Sequence, residues 1–77
     1  MDKTLDKFIK GESGRVKKLT ATGAIRRRLL DMGITPGAEI TMRKTAPLGD
    51  PMEITLRGYE LTLRKAKAAF VITEEKA

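Results

Sequence analysis

The sequence predicts a mostly β fold, a small partly open barrel of about five short strands with one short helix and a further single helical turn. Three observations predict it. Apolar and polar residues alternate in five short segments, two of those segments match as a hairpin, and no stretch is long enough to be a helical crossover between parallel strands. At 77 residues the chain makes one domain, and a domain of this size buries only about 60% of the surface that its unfolded chain exposes. The core is therefore thin and a large catalytic cleft is not expected.

The first turn signal is Gly11-Glu12-Ser13-Gly14, and the segment Arg15 to Thr20 after it mixes β-branched and charged residues as a half-exposed strand does. Val16 and Leu19 are three apart rather than two, which predicts a bulge or break between them. Thr22 is placed to cap a helix over 23–31, with Ile25, Leu29 and Met32 on one face. Gly33 stands where a left-handed residue ends the helix, and Ile34 is positioned to touch Leu29 as in a Schellman ending. Pro36-Gly37 then turns the chain into a strand over 38–43, where Ile40 and Met42 alternate with polar neighbours.

The loop Ala46-Pro47-Leu48-Gly49-Asp50-Pro51 follows. Pro47 suits the second position of a type I turn with Gly49 at the fourth, and Pro51 holds Asp50 extended. The segments 52–57 and 60–64 form the hairpin, with Gly58-Tyr59 as a two-residue type II′ loop. That loop would set Arg57 against Glu60, Leu56 against Leu61, Thr55 against Thr62, Ile54 against Leu63 and Glu53 against Arg64, each pair alike or complementary in character. Residues 65–69 favour one helical turn, 70–73 a closing strand, and 74–77 a charged tail. The expected core is Val16, Leu19, Leu29, Met32, Ile34, Ile40, Met42, Ile54, Leu56, Leu61, Leu63 and Val71, with Met32, Met42 and Met52 as apolar filler rather than thioether ligands.

Composition closes off much enzymology. Cysteine and histidine are absent, which removes disulfides, thiolate metal sites and the commonest acid–base side chain near neutral pH. Asp50 and Glu53 make at most a poor carboxylate pair for a metal, so no metal or other cofactor is expected. The phosphate cradle of a GTPase is missing as well. Sixteen Lys and Arg against ten Asp and Glu give a net charge of +6, which favours anionic partners. A small nucleic-acid-binding barrel is the runner-up reading, weakened by having only Phe8, Tyr59 and Phe70 to stack on bases. The N-terminal residues carry no signal-peptide-like apolar stretch, and the longest apolar run, 68–72, is too short to cross a bilayer, so the expected location is the cytosol without membrane insertion.

The ordered motifs 29–37 and 46–51, followed by the hairpin and Leu61-Thr62-Leu63-Arg64, resemble the FeoA family over about residues 5–73. Two positions differ from a generic match: Phe70 precedes the apolar alternation of the last strand, and Thr73 stands where an apolar residue is commoner. The resemblance implies an SH3-like barrel acting as a non-enzymatic cytosolic accessory of bacterial ferrous-iron uptake, with the membrane GTPase transporter FeoB as protein partner. It also implies the free-standing form of a module that occurs at the C-terminus of iron-dependent repressors.

Candidate site residues divide by role. Gly33, Pro36, Gly37 and Gly58 are expected to be architectural, ending a helix or making turns. Leu48 at a loop tip, with Pro47, Gly49 and Asp50, is a candidate anchor for a protein partner, the alternative being that Leu48 folds back over the barrel. Arg27, Arg28, Arg43 and Lys44, with Lys17 and Lys18, are candidates for a basic face that meets an acidic partner. The competing reading for the arginines of 26–28 is a solvated helix surface with a weak pair to Asp31.

Overall fold

A computed structural model describes residues 2–75. Among them are six strands, β1 (Lys3–Thr4), β2 (Ser13–Leu19), β3 (Glu39–Thr45), β4 (Met52–Leu56), β5 (Tyr59–Leu63) and β6 (Val71–Glu75). Two helices, α1 (Gly23–Asp31) and α2 (Lys65–Ala68), complete the fold with a 3-10 turn at Leu5–Lys7. All strand pairs are antiparallel, in the order β1-β6-β2-β3-β4-β5. The mostly β architecture is as expected, with β1 as the sixth strand.

β1 is two residues long and pairs Lys3 with Thr73 and Thr4 with Ile72. Thr73 explains its own polarity: it is 1% exposed, and its hydroxyl donates to the Lys3 carbonyl at 2.7 Å. A threonine in the core is tolerated because its one donor has a partner. The irregularity expected in the second strand is present, as the β2–β6 register shifts between Val16 and Lys18, letting both Val16 and Leu19 face inward.

The helix ending forms as a Schellman motif. Ile34 N–H donates to the Leu29 carbonyl at 3.1 Å and Gly33 N–H to that of Leu30 at 2.9 Å, with Gly33 at φ +95. Leu29 and Ile34 are both buried. Thr22 occupies the N-cap position but its hydroxyl makes no cap bond, which corrects the expected capping; the glycine after it sits at φ +61. In the next turn Ala38 N–H donates to Thr35 O at 3.0 Å across Pro36 and Gly37, and Gly37 N–H and Ala38 O bond to Val16 of β2. Turn and sheet are thereby tied together.

The hairpin corrects the expected register. Its loop is Arg57-Gly58, both at positive φ (+51 and +85), the pattern of a type I′ turn, and β4 pairs with β5 as Leu56 to Tyr59, Ile54 to Leu61 and Met52 to Leu63. Every partner moves by two residues, so the inward face is unchanged and the apolar pattern alone does not distinguish the two registers. The choice is made outside the hairpin. Arg57 Nη2 donates to Thr35 Oγ1 at 2.8 Å and Tyr59 OH to the Met32 carbonyl at 3.3 Å, docking the turn on the end of α1. Released from the expected hairpin pairs, Glu60 forms an ion pair with Arg43 and Glu53 a longer one with Lys44 at 3.8 Å.

The expected core is buried except Met32 and Leu61, which are half-buried against it. Met52, expected as filler, is fully buried, and Leu5, Phe8, Ala21, Ala38 and Ala68 join the core. Leu5 and Phe8 bring the N-terminal segment into the domain, a contribution the charge-rich composition there hides. Glu74 and Glu75 extend β6 rather than forming a tail, and 76–77 lie outside the described residues.

Candidate functional site

α1 packs its buried face, chiefly Leu29, on the sheet, yet leaves a groove of about 640 Å³ between itself, the end of β5 and α2. That volume falls within the range of about 300–1,000 Å³ typical of sites that enclose small ligands. Ile25, Leu29 and Met32 from α1 and Leu63 from β5 supply its apolar lining. Arg27 and Arg28 from the helix, with Arg64 and Lys67 from the opposite side, supply four cations against the single carboxylate of Asp31. Two consecutive helical residues point about 100° apart, so Arg27 and Arg28 border the groove at different angles while Arg26 does not line it.

Among the described residues, no ion pair engages Arg27, Arg28, Arg64 or Lys67, and none joins Asp31 to an arginine. The remaining basic candidates behave differently. Arg43 and Lys44 on β3 form ion pairs with Glu60 and Glu53, and Lys17 donates to Asp2 at 2.9 Å. The Lys17 ammonium holds the Asp2 carboxyl below its ordinary range, chiefly through that hydrogen bond, and Asp2 raises Lys17 in turn. The basic face expected from the sequence is thus divided, with local carboxylates offsetting one part and the uncompensated cations gathered at the groove. Arg64 and Lys67 were missed as site residues. Their place flanking and within the second helical turn was the available signal, since that turn returns the chain toward α1.

The loop of residues 46–51 is built largely as expected. Gly49 N–H donates to Ala46 O at 2.7 Å across Pro47 and Leu48, and Ala46 N–H to Pro51 O at 3.0 Å closes the base. The Asp50–Pro51 peptide is cis. Asp50 Oδ1 accepts the Lys65 N–H at 2.9 Å, fastening the loop to the start of α2, which also borders the groove. Leu48 is 97% exposed, so it projects to solvent rather than folding back. Pro47, Leu48 and Asp50 present an exposed tip with one apolar side chain at its apex.

A second, smaller depression of about 270 Å³ lies at Asp2, Phe8, Glu12 and Glu74. Lys3 bonds Glu12 there at 2.7 Å, and Glu12 also accepts the Ile9 N–H at 2.9 Å. Those bonds, the Lys3 bond first, hold the Glu12 carboxyl below its ordinary range. Among the described residues no group of three or more Asp and Glu side chains converges as a metal site would require, and no helix is long and apolar enough to cross a membrane.

Comparison with known proteins adds an independent line. The FeoA domain model matches residues 3–75. The chain is 33% identical over 64 residues to an Fe(2+) transport protein A/Fe(2+) transporter FeoB fusion protein of Porphyromonas gingivalis, a match covering 83% of the chain and 8% of that much longer protein. Among solved structures, the FeoA-like protein of Clostridium acetobutylicum superposes with a TM-score of 0.91 at 34% identity, covering 99% of this chain and 88% of that one. The FeoA of Stenotrophomonas maltophilia, described as a prokaryotic SH3 domain protein and solved with zinc, superposes with a TM-score of 0.81 at 28% identity over 94% of this chain and 89% of that one.

Proposed function

The chain belongs to the FeoA family, and on that premise we propose that it serves ferrous-iron uptake as a cytosolic, non-enzymatic module that docks on a FeoB-type membrane GTPase transporter. The observation that carries this reading is the fusion relative, in which a domain like this one is joined covalently to the transporter. Joining two modules makes their encounter intramolecular, at effective concentrations that reach the millimolar range for short flexible linkers. The same contact made without a linker depends on affinity supplied by the domain's own surface.

The surface offers two elements for that purpose. The groove combines an apolar lining with four uncompensated cations, and the neighbouring loop raises Leu48 clear of the domain. Charge at the rim speeds encounter and selects an acidic partner, whereas apolar side chains entering the groove would slow release. Modulation of the transporter then follows from stabilising whichever of its conformations presents the matching surface. The test is co-purification with the cytosolic region of a FeoB-type transporter from the same organism, together with ferrous-iron uptake in a strain lacking this chain. Absence of binding at low salt with unchanged uptake would overturn the proposal.

A further inference from the structure

β5 is the edge of the sheet, bonded to β4 on one side only. In an antiparallel ladder closed by a two-residue turn, the flanking pair and every second pair exchange both hydrogen bonds. Here those pairs are Leu56 with Tyr59, Ile54 with Leu61 and Met52 with Leu63. Glu60 and Thr62 lie between them, so their backbone N–H and C=O groups point away from β4. Among the described residues no backbone partner outside the hairpin meets them. Both residues are exposed, and Thr62 lines the groove.

The C-terminal end of the free edge, at Thr62, therefore borders the groove, and Glu60 continues that edge beyond it. Tyr59 OH, bonded to the Met32 carbonyl, links β5 to the C-terminal end of α1 and holds the two walls at a fixed spacing. Unpaired edges are commonly covered, shortened or charged to prevent pairing with other chains. This one is left open beside an apolar surface with a cationic rim.

We propose that the groove takes an extended acidic segment of a protein partner, which pairs with β5 as a seventh strand. Successive side chains of a strand point to opposite faces. An added strand would send alternate residues toward Ile25, Leu29 and Leu63 and the intervening ones toward Arg27, Arg28 and Lys67. Apolar residues alternating with Asp or Glu match both surfaces at once. Backbone bonds to Glu60 and Thr62 would provide attachment that does not depend on side-chain identity, and the rim cations would provide the preference for acidic sequence. The inference rests on the reading of this chain as a docking module and names the chemistry of what it docks.

The test uses the full chain, labelled with ¹⁵N, and a capped eight-residue peptide alternating valine with glutamate. Binding should slow hydrogen exchange at the Glu60 and Thr62 amides by tenfold or more, while Leu61 and Leu63, already bonded to β4, change far less. The R27E/R28E double variant, on the exposed face of α1, should keep the amide spectrum of the folded protein and weaken the peptide by about tenfold, equivalent to 1.4 kcal/mol. Methylating alternate peptide nitrogens should abolish binding by removing the edge bonds. The idea is overturned if the peptide does not bind, if a lysine-for-glutamate version binds equally, or if Glu60 and Thr62 stay unprotected. A partner that binds as a helix, seen by circular dichroism of the complex, also overturns it. Failure of the peptide alongside capture of the transporter's cytosolic region would reject the edge strand alone. Peptide binding without capture would reject the transporter reading alone.

Discussion

Replacing Gly33 with alanine adds one methyl group at a position with two separate objections to it. Gly33 has φ +95, where an L-residue pays about 1–2 kcal/mol. The new Cβ would also stand 2.9 Å from Tyr59 Oη, closer than such contacts occur, and at a tight 3.3 Å from Leu56 Cδ2, so Tyr59 must move. Moving it sacrifices the bond to the Met32 carbonyl, worth about 1 kcal/mol, and loosens the hairpin on α1. The total is about 2–3 kcal/mol, a large share of the roughly 4–12 kcal/mol expected for a chain of this length. Gly37 is the internal control. It has φ +93 but no atom within 4 Å of its would-be Cβ, so G37A should cost only the backbone component, about 1–2 kcal/mol. Urea denaturation of both variants measures the two costs, and calorimetry should show G33A melting about 8–24 °C below the parent. Equal losses in the two variants would refute the steric part of the argument.

Other perturbations test other joints. L48A should leave urea stability within about 0.5 kcal/mol of the parent, because the side chain is exposed, while weakening capture of the transporter's cytosolic region. Unimpaired capture would remove Leu48 from the docking surface. T73V keeps the shape of the side chain but removes the hydroxyl's bond to the Lys3 carbonyl, so it should cost about 1 kcal/mol and fray β1, seen as faster amide exchange in the first strand. An unchanged denaturation midpoint would contradict that role. Glu12 carries a pH dependence: its carboxyl is held below the ordinary 4.5 by the bonds from Lys3 and Ile9 N–H. A group whose pKa is depressed in the folded state stabilises above its unfolded pKa, and that stabilisation is lost as pH falls through the folded one. The difference in stability between the parent and E12Q should therefore be present at neutral pH and shrink in acid, whereas a pH-independent difference would deny the linkage.

How far the sequence specified these features depended on how local their causes were. The helix ending at Gly33 and Ile34 and the Ala46 to Gly49 turn follow from residues that dictate their own backbone, and both formed as expected. The hairpin was legible as a hairpin, but its register was not, because two pairings separated by two residues bury the same face. What selected between them was Arg57 reaching Thr35 and Tyr59 reaching Met32, contacts that span more than twenty residues. The buried place of Thr73 was likewise hidden until Lys3 supplied its acceptor. For the site, the sequence showed Leu48 and the arginines of α1. It could not show that Arg43 and Lys44 are engaged by carboxylates, nor that Arg64 and Lys67 face Arg27 and Arg28 across a groove, since both depend on how distant segments are brought together.

Isothermal titration of this chain with the cytosolic region of a FeoB-type transporter from the same organism, at low and at high salt, distinguishes docking from its absence. A saturable complex is expected, with an affinity that falls as salt rises and is reduced further by reversing Arg27 and Arg28. No heat of binding at low salt, with both proteins folded, would contradict it, as would binding that ignores both salt and those arginines.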